Sequence, residues 1–276
     1  RANASANAGG GNGGNTDGDW GACDPAEPRN RRTRVSVLIE SNEGKRLLID
    51  TSTDLRQQLL ANKIDRVDGV FWTHDHADHC HGIDDLRVMR YDRSGPLPAF
   101  AAEETARRLR ARFGYVFAGE HGYPTICELN TLERLRIFAG FGIGHCQMPH
   151  GPAKSTAFRF DADGKSIGYA TDFSEIVPAL VELFQRVDLL VVDCLRRRPH
   201  PTHAHLDMTL GWIERVKPKR AVLTHMTHDP LAPMALSNLA ARQHLGAAHI
   251  HITRHLPLQG ARLTVLADMA GMSKQA

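Results

Sequence analysis

Short apolar runs along the chain alternate with longer stretches in which apolar positions recur every three to four residues. Residues 35–39 and 46–50, either side of a polar turn at 42–44, predict two paired strands. Runs at 68–73, 155–160, 166–170, 188–193, 220–224 and 262–266 predict further strands, several with the unbroken Val/Ile/Leu pattern of a strand buried on both faces. Helical periodicity covers 53–62, 103–113, 174–186, 207–216 and 233–245, and several of these segments open with a Ser, Thr or Asp suited to capping or with an early proline. A strand pair followed by strand-helix-strand units predicts an α/β sandwich with its helices outside the sheets. No linker divides residues 35–266, so one domain is expected.

Composition adds limits to this picture. Residues 1–18 are almost entirely Ala, Asn, Gly, Ser and Thr and cannot bury enough surface to offset their conformational entropy, so a flexible Gly/Asn-rich segment is expected there, ahead of a folded region over 19–270. With 42% hydrophobic and 24% charged residues in 276, the remainder reads as globular, and a net charge of +3 excludes a strongly polyanion-seeking chain. No stretch approaches the roughly 18 apolar residues of a membrane helix, and the chain does not open on a charged-then-apolar signal pattern. Cys23, Cys80, Cys127, Cys146 and Cys194 are scattered without a CxxC pair, which argues against a disulfide framework or a thiolate zinc cage and fits a reducing cytoplasm.

Sixteen histidines are the unusual number, and their positions carry the chemistry. Directly after the apolar run Val70-Phe-Trp-Thr73 comes His74-Asp-His76-Ala-Asp78-His79. In an extended turn His74 and His76 project the same way, while Asp78 and His79 lie where the chain bends toward a helix. Four ligand-type side chains can therefore face one small volume, at the strand end where open α/β sheets place their sites. Imidazole and carboxylate donors suit zinc, manganese or iron. Two ions need more donors, and His150, Asp172 and His225 each follow a predicted strand end. Each alone has a bland reading, as a turn histidine, an Asx-type cap or a satisfied buried histidine; their joint spacing favours the metal site.

With these residues in view, the chain resembles the metallo-β-lactamase fold superfamily of dinuclear metal hydrolases, from Trp20 to Leu266. The resemblance implies an αββα sandwich in which His74, His76 and His150 hold one divalent ion, Zn or Mn, and Asp78, His79 and His225 hold the other. It further implies that Asp172 bridges the two and that Asp50 supports the metal loop without binding metal. Segments 19–24, 30–34, 81–87 and 224–226 are similar to the branch named after phosphoribosyl 1,2-cyclic phosphate phosphodiesterase. Two departures are visible. The apolar strand and Gly/Ser loop usual at the start of that branch are missing, as in a truncated chain. The branch's structural zinc site has only Cys23 and His228 as counterparts, so it is expected to be absent or differently built.

Two ions sharing a water lower its pKa from roughly 15.7 toward 7, which supplies hydroxide as nucleophile without a serine or cysteine. The leaving oxygen then needs a proton. Arg198-Pro-His200-Pro-Thr-His203-Ala-His205 offers three imidazoles on a proline-stiffened loop. His203 is the candidate general acid and a substrate contact, since the resemblance places the branch's catalytic histidine there. Arg87, one helical turn past the metal loop, is a candidate phosphate contact, with a surface pair to Asp84 as the bland alternative. The arginine clusters at 30–34 and 196–198 could line a phosphate pocket or be solvated faces. Lys154 and Ser155 are weaker candidates, and Cys80 reads as a small buried neighbour of the site.

The expected function is hydrolysis of a small cyclic phosphate, either a phosphoribosyl cyclic phosphate or a nucleoside 2′,3′-cyclic phosphate. The partner is then a small phosphorylated substrate or nucleotide, with no membrane role. A tRNA 3′-processing endonuclease would want a long basic arm that the sequence lacks, which argues against RNA. Thioester or β-lactam hydrolysis suits the arginine and histidine loop less well. A nucleotide-binding protein with structural metals is disfavoured because catalytic sites keep an open position. The resemblance also allows a homodimer.

Overall fold

The computed structural model describes Ala26 and residues 33–119, 122–227, 256–258 and 261–265, the last two stretches as strand backbone. The Gly/Asn-rich segment 1–18, Trp20, Cys23, His228, the helix expected at 233–245 and residues 30–32 of the arginine cluster lie outside the described residues.

In chain order the strands are β1 (Val37–Ser41), β2 (Arg46–Ile49), β3 (Gly69–Trp72), β4 (Leu97–Ala101), β5 (Cys127–Thr131), β6 (Ile137–Phe138), β7 (Phe141–His150), β8 (Ala153–Ala162), β9 (Lys165–Ala170), β10 (Leu189–Asp193), β11 (Arg220–Thr224), β12 (Leu256–Leu258) and β13 (Ala261–Val265). They form a seven-stranded sheet ordered β12-β13-β1-β2-β3-β4-β5 and a six-stranded sheet ordered β11-β10-β9-β8-β7-β6. The helices are α1 (Leu55–Asn62), α2 (Ala77–Cys80), α3 (Glu103–Arg112), α4 (Gly114–Ala118), α5 (Pro178–Phe184) and α6 (Leu206–Val216), with a 3₁₀ helix over Ile83–Arg90.

The unbroken apolar runs have a direct physical cause. Val37, Ile39, Leu47, Ile49 and Phe71 point into a core shared with Phe158, Phe160, Tyr169, Leu189 and Val191 of the opposite sheet. Their chain neighbours Leu38, Leu48, Val70 and Trp72 face the other way, onto α1, the 3₁₀ helix and α3. Leu190 and Val192 likewise pack with Phe184 and Trp212, from α5 and α6. Each central strand is thus covered on both faces, which removes the polar alternation of a half-exposed strand. Three apolar layers alternate with two sheets, the αββα sandwich of a single compact unit.

Two expectations are corrected, and several strands carry no sequence signal. None of the described helices is capped by a side chain at its first residue. Asp54, at the start of α1, instead directs its carboxylate to Arg34, accepting from the backbone N–H at 2.7 Å and from the guanidinium at 2.8 Å. The helix expected from Ser174 begins only at Pro178, whose ring presets the first turn and whose missing N–H costs nothing there. Strands β4, β5, β6 and β12 lack a clear signature: Pro98 interrupts β4 and β5 is half polar. The segment before His150 is a ten-residue strand whose Gly142 and Gly144 mask the pattern.

Direction positions the site. β2 to β5 run parallel, as do β9 to β11, and β7 points the same way as β9 because both are antiparallel to β8. The carboxyl ends of β2, β3, β7, β9, β10 and β11 therefore deliver Asp50, His74, His150, Asp172, Asp193 and His225. A backbone hydrogen bond from Thr156 N–H to the Thr73 carbonyl, 2.9 Å, ties the sheets together beside these ends. No helix among the described residues is long and apolar enough to cross a membrane.

Phe71 stacks on Phe100 and meets Phe158 and Phe160 edge-on, with centroids 5.0 to 5.6 Å apart. Phe71→Ala is expected to lower unfolding stability by about 3–5 kcal/mol, measured by urea denaturation. A loss under about 1 kcal/mol would contradict tight packing between the sheets.

Candidate metal centre

Asp50, Asp172 and His225 each follow a strand, and each adopts a left-handed backbone conformation, with φ of 60°, 59° and 60°. Such residues cost on the order of 1–3 kcal/mol and persist only where the surroundings hold them. Asp50 N–H donates to the Phe71 carbonyl at 2.8 Å. Asp172 N–H donates to Asp193 Oδ2 at 3.2 Å, and the buried Ser155 hydroxyl donates to the Asp172 carbonyl at 2.6 Å. The abrupt turn swings each side chain over the end of the sandwich.

The metal loop is held from within by Asp50, which is fully buried. Its carboxylate accepts the Thr73 N–H at 2.8 Å and the Thr73 hydroxyl at 2.8 and 3.0 Å, and lies 2.7 Å from His79 Nδ1. The His79 Nε2 edge is thereby turned outward. Gly82 closes the loop by donating its N–H to the Thr51 carbonyl at 2.9 Å; a Cβ there would lie 1.9 Å from the Ser52 carbonyl oxygen, so only glycine fits.

Seven donors converge in two groups, and a third group made of Asp172, His203 and His225 overlaps both. His74, His76, His150 and Asp172 present ligand atoms within 4.8 Å of one another, and so do Asp78, His79 and His225. Asp172 links them. Its Oδ1 lies 3.9 Å from His74 Nε2 and 3.6 Å from His150 Nε2, while its Oδ2 lies 3.1 Å from His79 Nε2 and 3.2 Å from His225 Nε2. Asp78 Oδ2 is 3.4 Å from His79 Nε2 and 3.5 Å from His225 Nε2. His150 Nε2 and His76 Nδ1 stand 3.2 Å apart, and the other nitrogen of His150 is 2.7 Å from the Thr202 carbonyl.

The two groups differ in charge. Burial drives the His74 imidazole well below its ordinary value, with the charge of His79 adding to it. Burial also lowers His76 and His150 against the pull of Asp172. For His79 burial opposes charge, but Asp172, Asp78 and Asp50 outweigh it and lift that imidazole well above its ordinary value. For His225 burial is overcome by Asp172, Asp78 and Asp193, which raise it to about 9. Burial likewise works against ionised Asp78 and Asp172, and the imidazoles of His79 and His225 keep both carboxyls well below their ordinary range. Both directions have one cause, the carboxylate charge of Asp78 and Asp172, which a divalent cation would also balance.

The donor set fits divalent metals. His74 Nε2, Asp78 Oδ2, His79 Nε2 and His225 Nε2 are buried without a well-directed hydrogen-bond partner, a costly state for polar atoms unless they serve as ligands. Burial pushes the Cys80 thiol up to about 12, and Sγ donates to the Asp75 carbonyl at 3.2 Å, so Cys80 supplies no thiolate.

His203 is buried beside these groups, its Nδ1 3.5 Å from Asp172 Oδ1 and 3.3 Å from Asp193 Oδ2. Its loop is closed by backbone hydrogen bonds from Leu195 to Ala204 and from Leu206 to Arg196, each 3.0 Å. The Arg196 guanidinium is used within the loop, donating to the carbonyls of Arg198 and Pro199. Arg34 is likewise committed to Asp54. Arg87 pairs with Asp84 at 3.6 Å and lies over the Tyr123 ring, 5.6 Å from its centroid.

Sequence reasoning passed over three contributors. Asp193 ends β10 as Asp50 follows β2, and that repeated pattern of an aspartate closing an apolar strand was the available signal. Thr73 bonds the Asp50 carboxylate. Arg112, on α3, donates to both the carbonyl and the carboxylate of Asp75 and so clamps the metal loop from outside.

A family model described as the beta-lactamase superfamily domain matches residues 45–226. A crystal structure described as a new diphosphatase from the PhnP family is 33% identical, covering 81% of this chain and 85% of that one, with a TM-score of 0.69. Zn²⁺-bound PqqB from Methylobacterium extorquens is 16% identical, over 86% of this chain and 94% of its own, at a TM-score of 0.68. The short form of human tRNase Z is 21% identical, over 70% and 86%, at 0.58. At these lower identities the likeness shows the fold alone. An octanoyltransferase of Porphyromonas gingivalis is 31% identical over 231 residues, 81% of this chain; the chain spans 45% of that protein.

Asp50→Ala would leave the Thr73 N–H and His79 Nδ1 buried without their partner. It is expected to destabilise the metal-free protein by about 3–5 kcal/mol, measured by chemical denaturation. An unchanged midpoint would remove Asp50 from its supporting role.

Proposed function

Because this chain belongs to the beta-lactamase superfamily-domain family and to the PhnP-like branch of the metal-dependent hydrolases with this fold, we propose that it is a dinuclear phosphodiesterase acting on a small cyclic phosphate. The substrate class is a phosphoribosyl cyclic phosphate or a nucleoside 2′,3′-cyclic phosphate. The observation that carries the reading is Asp172, whose two oxygens face two different imidazole groups, with His203 3.5 Å from one of them.

His74, His76 and His150 would hold one divalent ion and Asp78, His79 and His225 the other, with Asp172 contributing an oxygen to each. Zn and Mn both suit this donor set. When bound, such a pair supplies Lewis acidity and lowers the pKa of water from roughly 15.7 toward 7. The protein's own groups do the rest. Asp50 and Thr73 keep the His79 ring turned toward the centre. The walls of the two sheets exclude bulk water from the buried histidines, which strengthens every charge interaction there. His203, on its closed loop, delivers a proton to the departing oxygen, a role worth about 10²–10⁴ in rate.

A second reading, cleavage of a diphosphate, is favoured by the 33% identical relative described as a diphosphatase. Both reactions attack phosphorus and use the same donors, and the substrate decides between them. The octanoyltransferase name belongs to a protein of which this chain matches 45%, and no acyl-transfer role is assigned.

The test is turnover of bis(p-nitrophenyl) phosphate, a 2′,3′-cyclic nucleotide, a nucleoside diphosphate and an unprocessed tRNA by Zn²⁺- or Mn²⁺-loaded protein. Cyclic-nucleotide hydrolysis without tRNA cleavage is expected; hydrolysis of the diphosphate alone would select the second reading. Asp172→Ala is expected to lose bound metal by elemental analysis, and retention of two equivalents would overturn its bridging assignment. His203→Ala should keep both ions while losing about 10²-fold or more in kcat on substrates with poor leaving groups. An unchanged rate would take the proton-donor role away from His203.

A further inference from the structure

Among the described residues two buried carboxylates at this edge lie outside the ligand set, Asp50, which holds the metal loop, and Asp193. Asp193 closes β10, which lies between β9 and β11, so its backbone is fixed on both sides. The Thr209 hydroxyl donates to its carbonyl at 2.7 Å. Its side chain is fully buried and meets no lysine or arginine among the described residues. Oδ2 accepts the Asp172 N–H at 3.2 Å and lies 3.3 Å from His203 Nδ1. Oδ1 faces His225 Nδ1 at 3.9 Å, too long for a hydrogen bond, and both of those atoms are buried without a hydrogen-bond partner. A carboxylate in such surroundings is costly unless it has definite hydrogen-bonding work.

The register places that work. Asp193 pairs with Thr224, immediately before His225, and two residues after Asp193 the chain enters the closed loop that carries His203. One carboxylate thus stands behind three groups at once: the left-handed turn of Asp172, the ring of His225 and the ring of His203. In the other sheet Asp50 stands in the same relation to His79, 2.7 Å from its Nδ1.

We propose that Asp193 is a positioning residue that receives the Nδ1–H of His203 and lies behind the Nδ1 edge of His225, orienting the two rings so that their Nε2 atoms face outward from β10 and coupling the proton donor to the second ligand group. The Nε2 of His225 is already directed at Asp78 and Asp172, 3.5 and 3.2 Å away. Carboxylates placed behind imidazoles in this way select the tautomer and raise the basicity of the outward nitrogen. The inference rests on the metal-hydrolase reading for its consequence, but the ring orientation can be measured without turnover.

Long-range ¹H–¹⁵N correlation spectra of histidine-labelled protein, recorded with and without Zn²⁺ over a pH series above the ordinary imidazole range, read the tautomer of each neutral ring directly. An Nδ1–H tautomer for His203 in both samples is expected, and an Nε2–H tautomer would overturn the proposal even if no phosphodiester is ever turned over. Asp193→Asn is expected to weaken Zn²⁺ binding by about 10–100-fold in a chelator competition. It should also lower kcat while leaving KM within about twofold. Wild-type Zn²⁺ affinity and an unchanged His203 signal in that variant would overturn it too. Asp188→Asn, just before β10 at its opposite end, removes the partner of Lys219 and of the Ser166 N–H. It should lower the melting temperature and leave Zn²⁺ affinity and tautomer unchanged, which separates loss of position from loss of stability. If Asp193→Asn does not fold, the wild-type spectrum alone decides. Failure to bind Zn²⁺ at all would count against the proposed function and leave the tautomer result standing.

Discussion

The arrangement depends on one carboxylate serving two neighbourhoods. Asp172 is almost wholly buried, and burial alone would favour its neutral form; it remains ionised because imidazoles approach both of its oxygens. That requirement accounts for much around it. The chain must leave β9 in a left-handed turn, the turn must be secured by Ser155 and Asp193, and the imidazoles must be aimed from behind by Asp50, by Asp193 and by the Thr202 carbonyl. The polar groups at the end of the sandwich form layers, with carboxylates inside, imidazoles next and the ligand edges outermost.

The scaffold beneath is ordinary in its physics. Two sheets hold a shared apolar core, and helices cover their outer faces, so the inner strands are dry on both sides. Rigidity of that kind is what a pre-organised site needs, because packed interiors transmit displacement and do not absorb it. At the site, left-handed backbone falls at the strand ends that carry Asp50, Asp172 and His225.

Legibility in the sequence followed the same physics. The inner strands were readable because two-sided burial writes an uninterrupted apolar run. His74 to His79 were readable because four donors packed into six residues directly after such a run would crowd polar groups at a buried strand end unless a cation gathered them. His150, Asp172 and His225 were readable only jointly, each being an ordinary strand-end residue alone. Strands β4, β5 and β7 were hidden by Pro98, by polar edge positions and by glycines that make room for a neighbouring helix, since the nearest atom to a Cβ at Gly144 would be Leu183 of α5 at 2.8 Å. Asp193 escaped notice because its partners arrive from residues 10 and 32 positions away, through sheet register and loop closure. Arg112 looked like any exposed helix charge, and only the fold shows that Asp75 lies beneath it.

Each imidazole group draws on both sheets: His74 and His76 come from the first and His150 from the second, while Asp78 and His79 meet His225 across the same seam. Neither half of the polypeptide carries a complete coordination sphere. Until the last of the central strands has docked and the two layers have closed, the chain holds only partial, weakly chelating fragments. The full donor set therefore exists only where both sheets have packed together, so any cation held there would be bound by the assembled fold and not by either layer alone.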